Sequence, residues 1–275
     1  MMEIPLPTAW PGGAEVAVTL SFDVDAEAGW LGEGEAYARR LTTLSEGRFG
    51  VVRGLPRILR LLHDEQIPAT FYVPGDTARR HAHALSGLRE DGHDVGHHGF
   101  LHLRSDTLPE EDQRRELVQG IEALRECLGV EPKGYRSPAW ELTPETMGML
   151  MEMGFAFDSS CMGDDRPYYE EHDGRRILEF PVHWSLDDWP YFAWHAGSGE
   201  LLATPSEFVA VWLAEFDSAV RERRHITFTM HPEVIGRGYR MAALRTLIAG
   251  MRDRARVWFA THSDVADLLQ NKKHA

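Results

Sequence analysis

Strand-like and helix-like stretches alternate along almost the whole chain, and this alternation limits the fold more than any other feature. Residues 16–24, 69–73, 94–96, 134–136, 155–159, 177–182, 226–230 and 257–260 read as strands. Residues 54–66, 109–128, 143–153, 206–223, 240–252 and 263–270 read as helices, with apolar residues at helical spacing. Thr143 precedes Pro144 as a cap, Gly129 and Gly154 follow helix ends, and Ser263 is expected to cap the last helix. Such a chain builds a parallel sheet with helices outside it. Seven or eight units of this kind suggest a barrel. No repeat or low-complexity linker interrupts them, so residues 1–275 are read as one domain. Two stretches, 26–50 and 161–176, lack the pattern and are expected to be long loops, which are often functional.

The first strand has two unlike faces. Val16, Val18, Leu20, Phe22 and Val24 share one; Ala17, Thr19, Ser21, Asp23 and Asp25 share the other. A barrel strand packed outward on helices reads this way, and its C-terminal end is where such barrels keep their chemistry. Asp23 and Asp25 stand together at that end. Two carboxylates so close repel unless a positive charge lies between or beside them, and a divalent metal would supply it.

Composition decides which ligands that metal could have. There are 14 histidines and only two cysteines, Cys127 and Cys161, too few for a cysteine-rich zinc site. Any metal must therefore use histidine and carboxylate. Residues 92–102 read GHDVGHHGFLH, with two i, i+4 pairs, His93/His97 and His98/His102. Such a pair lies ~5–6 Å apart on a helical turn and can grip one ion. Because 94–96 is the strand, His93 falls at its far end, whereas His98 and His102 follow its C-terminal end on the side of Asp23 and Asp25. A His/His/Asp set with open positions is the pattern of a catalytic site rather than a closed structural one, and the spacing is not that of His-Glu-x-x-His metalloproteases.

The charge excludes other classes. Lys plus Arg is 29 against 43 Asp plus Glu, a net −14, which argues against nucleic acid and anionic lipid as partners. No apolar run reaches the ~18 residues of a membrane span. The opening MMEIPLPTAW lacks the basic start and apolar core of a signal peptide, so a cytoplasmic location is expected, in keeping with the few cysteines.

Four segments in order, Ser21-Phe22-Asp23-Val24-Asp25, His98-Gly99-Phe100-Leu101-His102, Arg136-Ser137-Pro138-Ala139-Trp140 and Thr229-Met230-His231, resemble the polysaccharide deacetylases. These are the NodB-homology enzymes of carbohydrate esterase family four. The resemblance runs over about residues 16–269, and it is the combination of motifs that is specific. Gly29-Trp30-Leu31, Trp140-Glu141 and His231-Pro232-Glu233 resemble the branch that includes peptidoglycan-deacetylase-like and allantoinase-like proteins. The resemblance implies a distorted (β/α) barrel of about seven parallel strands, and a metal-dependent hydrolase of non-peptide C–N bonds. It implies Asp25, His98 and His102 as metal ligands, with Zn2+ the expected ion. It makes Asp23 the catalytic base, Arg136 the group that orients it, and His231 the general acid. It gives the Trp140 backbone N–H to the oxyanion. Asp187-Asp188-Trp189 resembles the motif whose aspartate tunes that late histidine, with Asp188 taken first and Asp187 left open.

Two departures stand out: the family's adjacent Asp-Asp is opened to Asp23-Val24-Asp25, and Trp140 replaces the usual Tyr. Trp30, Trp140 and Glu141 are expected to contact substrate, as could Glu27. Core packing is the commoner use for Trp184, Trp189, Tyr191 and Trp194. Cys161 is read as structural. The expected substrate is either an N-acetyl sugar or a small amide, ureide or cyclic imide, and a homo-oligomer is expected. The alternative is a metal- or carbohydrate-binding protein that has lost catalysis, against which Asp23, Arg136 and His231 together argue.

Overall fold

The computed structural model of the chain describes residues 2–194 and 202–271. Its strands are β1 (Met2–Glu3), β2 (Val16–Asp23), β3 (Thr70–Val73), β4 (Asp94–His97), β5 (Gly134–Tyr135), β6 (Phe157–Asp158), β7 (Tyr168–His172), β8 (Arg175–Glu179), β9 (His225–Met230) and β10 (Val257–Phe259). Its helices are α1 (Ala26–Leu31), α2 (Leu41–Phe49), α3 (Leu55–Glu65), α4 (Gly75–Leu85), α5 (Glu110–Leu128), α6 (Pro144–Met153), α7 (Trp189–Phe192), α8 (Pro205–Glu222), α9 (Pro232–Ile235), α10 (Gly238–Arg254) and α11 (His262–Asn271).

Strands run parallel in the order β9-β2-β3-β4-β5-β6-β8, which makes the seven-stranded distorted (β/α) barrel the sequence implies. The distortion has a visible origin. One edge of β2 is shared: Val16–Val18 pair with β10 and Ser21–Asp23 with β3. Between β8 and β9, the sheet is joined by a single bridge, Asp187 to Thr229. The outward face of β2 lies in the main apolar core with Leu55, Ile58 and Leu62 of α3, Phe208 and Trp212 of α8, and Leu244 and Leu247 of α10. Its inward face is polar and buried. Thr19 pairs with His225 at 2.8 Å, and Ser21 with Arg136 at 2.9 Å. Among the described residues no helix is long and apolar enough to cross a membrane.

Three local expectations need correcting. Residues 26–50 are not an irregular loop, because they hold α1 and α2. α2, LTTLSEGRF, has little apolar periodicity of its own, and Leu41 in it is 76% exposed; tertiary packing against α1 decides its form. Residues 161–176 hold β7, which pairs antiparallel with β8 across Asp173-Gly174, both at positive φ. Asp-Gly is a strong hairpin signal. Finally, Thr261, not Ser263, caps α11: its Oγ1 accepts from the Asp264 N–H at 3.0 Å. The Ser263 hydroxyl donates to Asp94 instead.

Candidate active site

The C-terminal end of β2 and the turn after β4 bring the expected ligands together. Ligand atoms of Asp25, His98 and His102 all lie within 4.8 Å of one another. His98 Nε2 and His102 Nε2 each stand 3.4 Å from an Asp25 oxygen, beyond the usual hydrogen-bond distance. The Arg136 carbonyl can only accept, so His98 Nδ1 donates to it at 2.7 Å, and the other ring nitrogen faces Asp25. Asp25 Oδ1 is buried without a hydrogen-bond partner. An orphaned carboxylate oxygen facing ring nitrogens, with the outer nitrogen of one ring already anchored, fits a divalent cation. Burial would push the Asp25 carboxyl up, but the imidazoles of His102, His98 and His231 hold it well below the ordinary range. Burial lowers His102 to about 4.

The backbone around these groups is held in an unusual form. Ala26, His102, Ala139 and Trp140 all have φ between 53° and 59°, a region non-glycine residues rarely occupy. α1 presses closely on the ligands: a Cβ at Gly32 would lie 2.4 Å from the His102 carbonyl oxygen. Thr77 of α4 fixes the Asp25 backbone by donating to its carbonyl at 2.7 Å.

Asp23 lies beside the triad, its Oδ2 3.9 Å from His98 Nε2. Arg136 Nη1 donates to Asp23 Oδ1 at 2.7 Å and to Ser21 Oγ at 2.9 Å. The guanidinium is fully buried, its Nε and Nη2 bonded to the Ser159 carbonyl and hydroxyl. It stands 4.2 Å over the Tyr72 ring, and the Tyr72 hydroxyl pairs with His262. Tyr72 and Ser159 were not singled out from the sequence. Inward parity in a four-residue strand is a weak signal, and nothing in the Ser159-Ser160 pair announces a partner for arginine.

His231 follows β9 and stands 3.9 Å from Asp25. Its Nδ1 pairs with Asp188 Oδ1 at 2.8 Å, and its backbone N–H donates to the same carboxylate. Asp187 is 3.6 Å from that ring nitrogen, and its Oδ1 accepts from the Trp189 N–H at 2.7 Å. Asp188 is therefore the direct partner. Burial works against the imidazolium, but Asp187 and Asp188 push His231 well above its ordinary value. Burial raises Asp187 to about 7.

These groups share a cavity of about 290 Å³, at the small end of ligand pockets. Asp23, Asp25, His98, His102 and His231 line it, with Trp30, Trp140, Trp184 and Trp189. Trp140 and Trp184 lie tilted against each other with centroids 4.4 Å apart, and Trp30 leans on Trp189. Trp184 and Trp189 are thus in the cavity wall, whereas Tyr191 packs on Phe208 of the core. Glu33 and Tyr37, from the segment expected to be a loop, also line the cavity.

Three expected substrate contacts are not brought to the cavity lining. Glu141 is exposed and outside the cavity lining, because the turn at Pro138–Trp140 carries it away. Glu27 is bound to His81 at 2.7 Å and is likewise outside the lining. The Trp140 N–H donates to the Ser137 carbonyl at 2.9 Å, so the donor expected for an oxyanion is committed to its own turn, and the Trp140 ring is what faces the cavity.

Comparison with known proteins agrees with this architecture. The model of the family described as polysaccharide deacetylase matches residues 42–157. A Helicobacter pylori peptidoglycan deacetylase is 28% identical over 92% of this chain and 96% of its own. A Mycobacterium smegmatis protein assigned to the polysaccharide deacetylases superposes with a TM-score of 0.93 at 37% identity, covering 99% of this chain and 96% of that one. An allantoinase structure superposes with a TM-score of 0.82 at 23% identity over 94% and 91% of the two chains, a likeness of fold alone. The chain belongs to the polysaccharide deacetylase family. Its deacetylase relatives support a hydrolase acting on amide C–N bonds.

Proposed function

We propose that the chain is a metal-dependent deacetylase that hydrolyses the N-acyl amide of a sugar substrate. The observation that carries this reading is the convergence on one cavity of three preset groups. These are the Asp25/His98/His102 cluster, the Asp23–Arg136 pair and the His231–Asp188 pair. A divalent cation held by Asp25, His98 and His102, with zinc the first candidate, would polarise the amide carbonyl and lower the pKa of a water from 15.7 towards ~7.

Asp23 takes the proton of the attacking water as general base. Arg136 fixes which oxygen of Asp23 is free: Oδ1 accepts from the guanidinium, which leaves Oδ2 turned towards His98. His231, on the other side of Asp25, carries the proton for the leaving nitrogen. Asp188 holds its Nδ1, so Nε2 is the nitrogen that delivers the proton. The C–N bond breaks, the acyl group leaves as a carboxylate, and the nitrogen leaves as an amine. The four tryptophans offer flat apolar walls, the usual partners of a sugar ring face.

A second reading, a small amide or cyclic imide as substrate, draws on the wall that Trp30, Glu33 and Tyr37 add to one side of a small cavity. Assay of the metal-loaded protein on N-acetylglucosamine oligomers beside cyclic imides separates the two. Release of acetate from the oligomers supports the first reading, turnover of imides alone supports the second, and turnover of neither sinks both.

A further inference from the structure

The chemistry above leaves one cavity carboxyl without a task. Glu233, two residues beyond His231 and in the first turn of α9, lines the cavity and is only 3% exposed. Its Oε2 atom is buried and has no hydrogen-bond partner. The carboxyl sits against Gly50, where a Cβ would lie 2.7 Å from Oε2 and would push the carboxyl aside. Gly50 opens the π-helical turn Gly50–Gly54, a distortion that is frequent at functional sites. An unsatisfied buried polar group is costly. Oε2 itself is turned to Gly50, so a ligand meets this carboxyl from its cavity side.

The rest of the lining says what kind of ligand this is. Asp23, Asp25, Glu33 and Asp187 join Glu233 there, and among the described residues no lysine or arginine does. Asp23 is paired with Arg136, Asp25 belongs to the ligand cluster and Asp187 lies beside His231, so Glu33 and Glu233 are the lining carboxyls left for a substrate. With no lysine or arginine beside them they suit a neutral one with hydroxyl groups, which can donate to a carboxyl oxygen or accept from a protonated one.

We propose that Glu233 is a substrate-contacting, specificity-determining residue that binds a hydroxyl of a neutral, hydroxyl-bearing N-acyl substrate next to the scissile amide. This rests on the deacetylase reading and adds the group that tells a sugar amide from a plain one. The competing role for Glu233 is to wedge the Gly50 turn in place, and that role is indifferent to hydroxyls on the substrate.

The test compares wild type, Glu233→Gln and Glu233→Ala on N-acetylglucosamine oligomers and on an acetanilide without hydroxyls. Losing one such hydrogen bond is expected to raise KM for the oligomers by about tenfold in Glu233→Ala. kcat stays near wild type, both constants for the acetanilide are unchanged, and Glu233→Gln recovers most of the loss. Equal loss on both substrates, or loss on neither, overturns the proposal. Calorimetric binding of the oligomers in an Asp23→Asn background keeps the two readings apart. If wild type hydrolyses no amide, the deacetylase reading fails, and Glu233 is judged by binding alone. Tighter binding with Glu233 than with Ala supports the assignment, and equal binding, or none by either protein, overturns it.

Discussion

Arg136 donates to Asp23 at 2.7 Å with both side chains buried, and the rest of the guanidinium is bound by Ser21, Ser159 and the Tyr72 ring. A base held this way loses its function if the carboxylate is replaced, and its surroundings suffer if the guanidinium is removed. Asp23→Asn is expected to lower kcat by about 10²–10⁴ while leaving bound metal, read by elemental analysis, unchanged. Arg136→Leu strands a buried carboxylate and is expected to destabilise the protein by about 3–5 kcal/mol in urea unfolding. Loss of metal in Asp23→Asn would reverse the roles given to Asp23 and Asp25.

Asp25 is the only carboxylate in the ligand cluster, and both histidines approach it. Asp25→Ala is expected to abolish stoichiometric metal binding. Binding of a ligand to the folded state alone raises stability, by about 2.7 kcal/mol at a hundred times Kd. Added Zn2+ should therefore raise the melting temperature of chelated wild type and leave that of Asp25→Ala unmoved. An equal rise in both proteins would place the ion elsewhere.

Much of this site was legible because β2 is long and its two faces differ. Eight residues of strict parity put Asp23 beside Ser21 on the inner face and at the end that carries chemistry. The position of His98 and His102 after β4 followed from the direction of that strand. Short elements conveyed less. β3 has four residues, too few to show that Tyr72 faces inward beneath Arg136. The wall from Glu33 and Tyr37 rests on α1 and α2, whose form comes from packing rather than from a stripe in the sequence. The Trp140 N–H and Glu141 lie away from the cavity for one reason. A motif read by position does not show that Ala139 and Trp140 turn the chain through positive φ.

Away from the ligands, the barrel interior holds a second group of histidines with a pH signature. His225 pairs with Thr19, and His262 with Tyr72 and Thr227. Burial, with Arg224 adding to it, lowers His225 to about 3; burial, His225 and Arg136 lower His262 well below its ordinary value. Both stay neutral in the folded protein, whereas in the unfolded chain they take up protons below pH ~6.5. The unfolded state then binds more protons, so stability is full above that pH and falls as the pH drops towards the folded values. Each contributes a slope of up to about 1.4 kcal/mol per pH unit. Urea unfolding between pH 6.5 and 4.5 should show His225→Gln with a shallower loss than wild type. Parallel curves would mean that His225 already carries a proton when folded.

His231 has two aspartates beside it, but only Asp188 reaches its ring at hydrogen-bond distance, 2.8 Å against 3.6 Å for Asp187. Asp188 also takes the His231 backbone N–H, so it sets both the orientation of the ring and which nitrogen faces the cavity. Asp187 is occupied with the Trp189 N–H at the start of α7. Asp188→Asn keeps the shape but removes the charge that holds His231 as an imidazolium, and an amide N–H turned to Nδ1 excludes the doubly protonated ring that delivers a proton from Nε2. It is expected to lower kcat by about a hundredfold or more with little change in KM, because proton transfer and not binding is impaired. Asp187→Asn should cost less than Asp188→Asn on the same substrate. If a substrate with a good leaving group, which needs no proton on departure, is slowed as much as a poor one in Asp188→Asn, His231 is not the acid. Steady-state assay of a series of N-acetyl anilines with graded leaving groups makes that comparison directly.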